Sequence, residues 1–186
     1  MVKSLIKLAI VDKLRRQYKR AISILRPKKT LHTHRDDVLA LIERYKQAGV
    51  SIGQDCYVWN VNLSFGDPIS IGHHCVLTGC TILGHDASPA LFIEELSPGG
   101  PFERRSLFRP TVIHDRVFIG VGAIVLCGRT VGPNSIVAAG AVVTHDVPSN
   151  MVVAGNPAKV VGTLKDFVDK HRKQLMNNPD WYEHRY

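Results

Sequence analysis

An aliphatic residue recurs every six positions through the second half of the sequence. The consecutive positions are Ile113, Ile119, Val125, Val131, Val137 and Val143. A period of six is neither the 3.6 of a helix nor the 2 of an ordinary strand. It describes a three-sided coil, in which each unit forms one flat face and one corner and about eighteen residues complete a turn. We expect the aliphatic side chains to point inward and to stack on those of the next coil.

Other positions keep the same phase. The position four after each aliphatic residue is small or β-branched except at Arg129, as expected for an inward site close to a corner; these residues are Val117, Ala123, Arg129, Ser135, Ala141 and Val147. Upstream, Ile71, Leu77 and Leu83 continue the phase, and Ile52 with Val58 indicates a still earlier coil.

Two segments interrupt the repeat. Residues 86–110 contain four prolines and a Gly-Gly pair, and residues 60–68 form a shorter break. We expect 86–110 to leave the coil at one corner as a long loop, and such loops in compact domains are usually functional.

The chain is therefore divided into a basic helical segment at 1–49, a β-helix at 50–162, and a C-terminal helix with its tail at 163–186. Helical spacing of apolar residues predicts helices at 2–25, Asp36–Ala48 and Leu164–Leu175.

The positive charge of +8 belongs to the N-terminal segment. Residues 1–49 carry 13 Lys and Arg against 4 Asp and Glu, whereas the remaining residues carry 11 against 12. A nucleic-acid partner is not expected, because a basic groove would involve the folded body. Two roles stay open for residues 1–30: docking on the chain's own assembly, or peripheral contact with an anionic membrane surface.

The four cysteines lack metal-site spacing and are expected to be reduced, and no apolar run approaches the roughly 20 residues that span a bilayer. A cytoplasmic, or membrane-peripheral, protein is expected.

The segment 113–162 resembles the closing coils of the maltose, galactoside and xenobiotic acetyltransferases. The resemblance rests on Val-Thr at 143–144, Asp-x-Pro at 146–148 and Gly-Asn-Pro-Ala-Lys at 155–159. It covers about residues 50–162. It implies a mainly β, left-handed parallel β-helix of hexapeptide repeats, acetyl-CoA as acyl donor, and a homotrimer with active sites at the subunit interfaces.

The segment Gly-His-Asp-Ala-Ser-Pro at 84–89 is similar to the part of these enzymes that carries the catalytic histidine. His85 is therefore expected to be the general base. An imidazole suits this role because its charge changes near neutral pH. Asp86 is considered as an orienting carboxylate, although adjacent residues of an extended segment point in opposite directions.

By resemblance, the backbone at Val121 and Ala139 would meet the thioester and pantetheine arm, and Thr144, His145 and Lys159 the nucleotide end. Related sugar enzymes often have Ser at the position of Val121 and Lys at that of His145. The first departure leaves a backbone N–H to stabilise a developing oxyanion.

A carbohydrate acceptor is expected, with Asn60 and Asp67 as candidate binding residues because sugar hydroxyls need both donors and acceptors. Ordinary loop polarity explains these residues equally well. Charged residues of the long loop are further candidates for selectivity: Glu94, Glu95, Glu103, Arg104 and Arg105.

No metal is expected. Trimeric β-helix carbonic anhydrases bind zinc through a His pair five residues apart, whereas Ile119 stands five beyond His114. His73 and His74 are interpreted as solvated corner residues.

The leading hypothesis is an acetyl-CoA-dependent O-acetyltransferase acting on a sugar or polysaccharide hydroxyl by direct transfer. The alternatives are an N-acyltransferase on an amino sugar of a nucleotide sugar, a serine acetyltransferase with a shortened N-terminal domain, and a non-catalytic β-helical scaffold.

Overall fold

The computed structural model describes residues 31–64, 66–96 and 106–182. By its contacts the chain divides into two units, Met1–Asp37 and Val38–Tyr186. The predicted helix at 2–25 lies outside the described residues. None of the described helices is both long and apolar enough to cross a membrane.

The second unit contains a left-handed β-helix of very short strands. In chain order they are β1 Ser51–Ile52, β2 Tyr57–Trp59, β3 Asn62–Leu63, β4 Ile69–Ile71, β5 Val76–Thr78, β6 Thr81–Ile82, β7 His85–Asp86, β8 Leu107–Phe108, β9 Thr111–Ile113, β10 Phe118–Ile119, β11 Ile124–Val125, β12 Thr130–Val131, β13 Ile136–Val137, β14 Val142–Val143, β15 Met151–Ala154 and β16 Lys159–Thr163.

Three sheets form the faces of the coil. Sheet 1 has the order β1-β4-β9-β12, sheet 2 the order β16-β15-β13-β10-β5-β2, and sheet 3 the order β14-β11-β6-β3. Pairing along each face is parallel, except that β16 returns antiparallel to β15. Each full coil thus gives one strand to every sheet, as the period of six predicts.

The repeating aliphatic residues form the core. The six positions from Ile113 to Val143 are at most 1% exposed, which confirms the inward stack. Burying a valine side chain contributes about 1.5–3 kcal/mol. Val117, Ala123, Ser135, Ala141 and Val147 are also buried, whereas Arg129 is partly exposed.

The predicted phase was wrong at Leu83. Ile82 is the inward residue, fully buried and paired with Val125 of the next coil. The step from Leu77 to Ile82 is one residue short, because the chain turns the corner through Gly79 alone at a φ of +52°. Glycine adopts such an angle without a steric penalty.

The flanking helices are longer than predicted. Helix α1 spans Leu31–Gln47 and begins before Asp36, since no Pro or Gly interrupts the preceding residues. Its Val38, Ile42 and Tyr45 join the core, and the Tyr45 hydroxyl donates to the Val61 carbonyl.

In the long loop, β7 pairs antiparallel with β8, a 3₁₀ turn follows at Ser88–Ala90, and the short helix α2 spans Ile93–Leu96. At the C-terminus, helix α3 spans Leu164–Asn177 and begins with a capping box between Thr163 and Asp166.

Candidate active site

His85 stands where the chain leaves the regular coil. It follows β6 of sheet 3, and the long loop then starts and returns to β9 of sheet 1. The return is secured by pairing His85 with Phe108 and Asp86 with Leu107. The imidazole therefore lies at the corner between sheets 3 and 1.

Asp67 contacts the His85 imidazole on its Nδ1 side. Its Oδ2 lies 2.7 Å from His85 Nδ1 and also accepts a hydrogen bond from Gly84 N at 3.0 Å. The Asp67 side chain is 3% exposed, whereas that of His85 is 38% exposed. The carboxylate is thus buried while the ring reaches solvent.

Glycine at position 84 permits this arrangement. A Cβ at Gly84 would lie 2.5 Å from Asp67 Cβ, closer than two carbons can approach. A side chain at 84 would therefore push the Asp67 carboxylate away from His85.

The contact with Asp67 assigns the proton of the neutral imidazole. An ionised carboxylate only accepts hydrogen bonds, so Nδ1 donates its proton to Asp67 Oδ2. The lone pair of neutral His85 is then at Nε2. A ring in this state can take a proton from a hydroxyl or an amine at Nε2.

Thr111 joins the two ends of the long loop. Its side chain is fully buried, and its hydroxyl donates to Leu83 O at 2.7 Å and accepts from Gly128 N at 3.0 Å. Arg109 N also donates to Gly84 O at 3.1 Å. These bonds fix the backbone on both sides of His85.

Asp86 does not orient the imidazole. Its Oδ1 accepts from Ser88 N at 2.9 Å, and this hydrogen bonding lowers the pKa of the exposed Asp86 carboxyl. Its role is to shape the turn that follows β7.

Three of the candidate residues lie at a different corner from His85. Asn60, Val121 and Ala139 each connect sheet 2 to sheet 3; Val121 and Ala139 are in successive coils, and the coil that turns at Gly79 separates Asn60 from Val121. Val121 is 64% exposed. A Cβ at Gly120 would lie 2.7 Å from Ala139 N, so this glycine allows the coils to stack closely. Asn60 has a φ of 49°, a left-handed conformation that asparagine tolerates.

The remaining candidates lie along the far coils. Thr144 and His145 follow β14 at the corner between sheets 3 and 1, and Thr144 Oγ1 is 2.9 Å from His145 Nδ1. Lys159 is exposed at the start of β16, next to Ala158, whose N–H donates to Val142 O of sheet 3.

One chain does not bring the corner with Val121 and the corner with His85 together. About five residues of extended chain separate the corner at Val121 from the corner at Leu126, which is roughly 16 Å. Asn60, Val121 and Ala139 are therefore separated from the His85 corner of the same chain by the width of the sheet 3 face.

The third corner, between sheets 1 and 2, carries His73, His74 and Arg116 and none of the candidate site residues. A shallow depression lined by His74, Arg116 and Phe118 lies there, away from His85. Among the described residues, no group of three or more His, Cys, Asp or Glu side chains is placed to hold a metal ion.

Residues 110–145 match the family model described as bacterial transferase hexapeptide, six repeats. The match covers the coils in which the six-residue stack is most regular. The matched segment therefore consists of hexapeptide repeats.

Similar proteins are acetyltransferases. Over 64 residues, this chain is 48% identical to the 2,3,4,5-tetrahydropyridine-2,6-dicarboxylate N-acetyltransferase of Staphylococcus aureus, with 34% of this chain and 27% of that one covered. The chain thus spans about a quarter of the length of the curated relatives that it matches.

Solved structures of similar proteins include a hexapeptide-repeat acetyltransferase from Vibrio cholerae in complex with acetyl-CoA. It is 31% identical with a TM-score of 0.54, and the match covers 63% of this chain and 61% of that one. A maltose O-acetyltransferase from Clostridium difficile is 23% identical with a TM-score of 0.47, over 83% and 88% of the two chains.

Asp67, for which an acceptor contact was expected, has a buried side chain that contacts His85. Asp67 precedes His85 by eighteen residues, one fewer than the nineteen between paired residues of these two coils, such as Leu63 and Ile82. Both residues also lie where the repeat is interrupted. Aligning these two interruptions one coil apart would have predicted the contact between Asp67 and His85 from the sequence.

Proposed function

We propose that this chain is an acetyl-CoA-dependent O-acetyltransferase that transfers the acetyl group directly to a sugar or polysaccharide hydroxyl, with His85 as general base. The observation that carries the proposal is the 2.7 Å contact between buried Asp67 and the partly exposed His85 ring. The likeness to an acetyl-CoA-bound acetyltransferase supports the choice of donor.

Acetyl-CoA supplies a thioester whose carbonyl carbon is already electrophilic. His85 Nε2 takes the proton of the acceptor hydroxyl while the hydroxyl oxygen bonds to that carbon. The C–S bond then breaks, and the imidazolium returns the proton to the leaving sulfur. Positioning is sufficient for this chemistry, and the protein need not form a covalent bond to the acetyl group.

Asp67 supports the same proton transfer as a positioning residue. Its carboxylate keeps the Nδ1 proton and thereby leaves Nε2 free to accept. It also stabilises the positive charge that His85 gains. The second hydrogen bond, from Gly84 N, keeps the carboxylate in place while the charge of the ring changes.

A second copy of the chain completes the proposed site. We propose a homotrimer in which the corner with Val121 and Ala139 of one copy meets the corner with His85 of the next. Backbone N–H groups at Val121 and Ala139 would then serve the thioester carbonyl and pantetheine arm. Thr144, His145 and Lys159 are proposed for the nucleotide end, and Asn60 for the acceptor.

An amine acceptor is the second candidate. The 48% identity with an N-acetyltransferase over 64 residues favours it. His85 serves both reactions, because an amine that arrives protonated must also lose a proton.

An acceptor screen tests the proposal. Purified full-length protein is supplied with acetyl-CoA and panels of hydroxyl sugars, amino sugars and small amines, and released thiol and acetylated product are measured. Faster thiol release with a hydroxyl sugar, together with its O-acetylated product, is expected. Transfer to amines alone would favour the second candidate, and no transfer to any acceptor would favour a scaffold.

Cytoplasmic location, with or without peripheral membrane contact through residues 1–30, is likewise proposed. Flotation of the full chain with anionic vesicles, compared with a chain lacking residues 1–30, tests the contact. Absence of flotation by the full chain would exclude it.

A further inference from the structure

An aromatic ring lies directly beside the proposed base. Phe108 pairs with His85 across the β7–β8 ladder, and the centroids of the two rings are 5.6 Å apart with 32° between their planes. Because facing residues of an antiparallel pair place their side chains on the same side, this contact follows from the strand register.

The contact with His85 leaves most of Phe108 uncovered. Phe108 is 58% exposed, in a protein whose repeating aliphatic residues are almost fully buried. Other apolar residues of the described loop are exposed as well: Leu91 is 78%, Phe92 52% and Leu107 37% exposed.

Two neighbours of the His85 ring, Asp67 and Phe108, limit how an acceptor can approach it. Asp67 occupies Nδ1, and Phe108 lies against the ring. A group whose hydroxyl reaches Nε2 therefore comes close to Phe108. An aromatic side chain favours contact with aryl groups and with C–H surfaces, whereas it offers nothing to a sugar hydroxyl.

We propose that Phe108 is a specificity-determining residue, which packs against an apolar group, aryl or alkyl, attached next to the acceptor hydroxyl. The proposal rests on the proposed acetyl transfer at His85 and adds a chemical class to its acceptor. The preferred acceptor is a glycoside with an apolar aglycone, in contrast to a free sugar.

Matched acceptors test the proposal. The methyl and phenyl glycosides of the sugar that reacts best in the screen differ only in the aglycone. With wild-type protein, KM for the phenyl glycoside is expected to be about tenfold lower, which corresponds to one well-packed aromatic pair. Phe108→Ala should remove this difference, and KM for acetyl-CoA should stay unchanged.

Two further variants separate selectivity from a general loss of structure. Phe108→Leu retains an apolar surface and should keep part of the preference. Phe167→Ala removes another Phe–His ring contact, the 4.2 Å pair with His171 on helix α3, and should leave the preference intact.

The possible outcomes are distinct. Equal KM values for the two glycosides with wild-type protein, or a phenyl preference that survives in Phe108→Ala, would overturn the role of Phe108 alone. Equal rates for wild type and His85→Ala would instead remove the proposed transfer on which the inference rests.

Discussion

At the scale of single residues, one buried carboxylate determines how His85 is used. Asp67 Oδ2 accepts hydrogen bonds from both His85 Nδ1 and Gly84 N. An amide in its place could present its NH₂ group to Nδ1 and would then favour the tautomer with the proton on Nε2.

Asp67→Asn is therefore expected to lower kcat by about 10²–10⁴-fold, as in other enzymes in which a carboxylate orients a histidine base. KM for acetyl-CoA should change little. Steady-state kinetics measure both constants. Asp86→Asn is the matched control and should keep near wild-type turnover, since Asp86 is exposed and bonds to Ser88 N. An active Asp67→Asn protein would show that orientation by this carboxylate is not needed.

Cys56 is a second residue with an altered environment. Hydrogen bonding with the Cys75 thiol, in the next coil, lowers the pKa of Cys56 to about 7, and the same interaction raises the pKa of buried Cys75. Because the thiolate is the reactive form, alkylation of Cys56 should already be substantial at neutral pH and should slow as the pH falls through 7.

Peptide mass spectrometry after a short iodoacetamide pulse measures this reactivity across pH. Buried Cys80, whose pKa is raised to about 11 by burial, is the internal control and should remain unmodified. Equal labelling of Cys56 and Cys80 at pH 7.5 would contradict the expected difference.

At the scale of elements, one buried hydroxyl, that of Thr111, joins the two ends of the long loop. Thr111→Val keeps the shape of the side chain but leaves Leu83 O and Gly128 N without their partner. A buried polar group without a partner costs about 1–3 kcal/mol, so the free energy of unfolding should fall by about this amount.

Denaturant unfolding measures the change. Thr111→Ser keeps the hydroxyl and lacks a methyl group, so it should lower the free energy of unfolding less than Thr111→Val does. If Thr111→Ser lowers the free energy of unfolding more than Thr111→Val does, the hydroxyl does not hold the loop.

The elements also show what a sequence can predict here. The six-residue period predicts the strands, their inward residues and the position of the long loop, because each coil buries an aliphatic side chain at the same inward position. It fails at Leu83, since the length of a corner depends on its turn conformation. The contact of Phe108 with His85 depends on how the loop returns, which no periodicity encodes, whereas the coil length does indicate the contact of Asp67 with His85.

At the scale of the molecule, the proposed site needs two copies of the chain. His85 belongs to one corner, and Val121 with Ala139 belongs to another, roughly 16 Å along the sheet 3 face. Sedimentation of the full chain should therefore report a homotrimer.

Mixed trimers test whether the site is shared. His85→Ala and Ala139→Trp should each be nearly inactive as pure trimers. Equal co-expression should restore about a quarter of wild-type activity, because a site that takes one corner from each of two neighbours is then intact by chance in that fraction. No recovery in the mixture would mean that both corners act within one chain.

The most direct test of the central claim is the rate of acetyl transfer by His85→Ala. With the best acceptor of the screen, kcat should fall by about 10²–10⁴-fold, the usual contribution of a general base, while the trimer and the unfolding temperature are kept. His114→Ala, at an exposed histidine of the third corner, should match wild type. A His85→Ala protein that transfers acetyl groups at the wild-type rate would contradict the account.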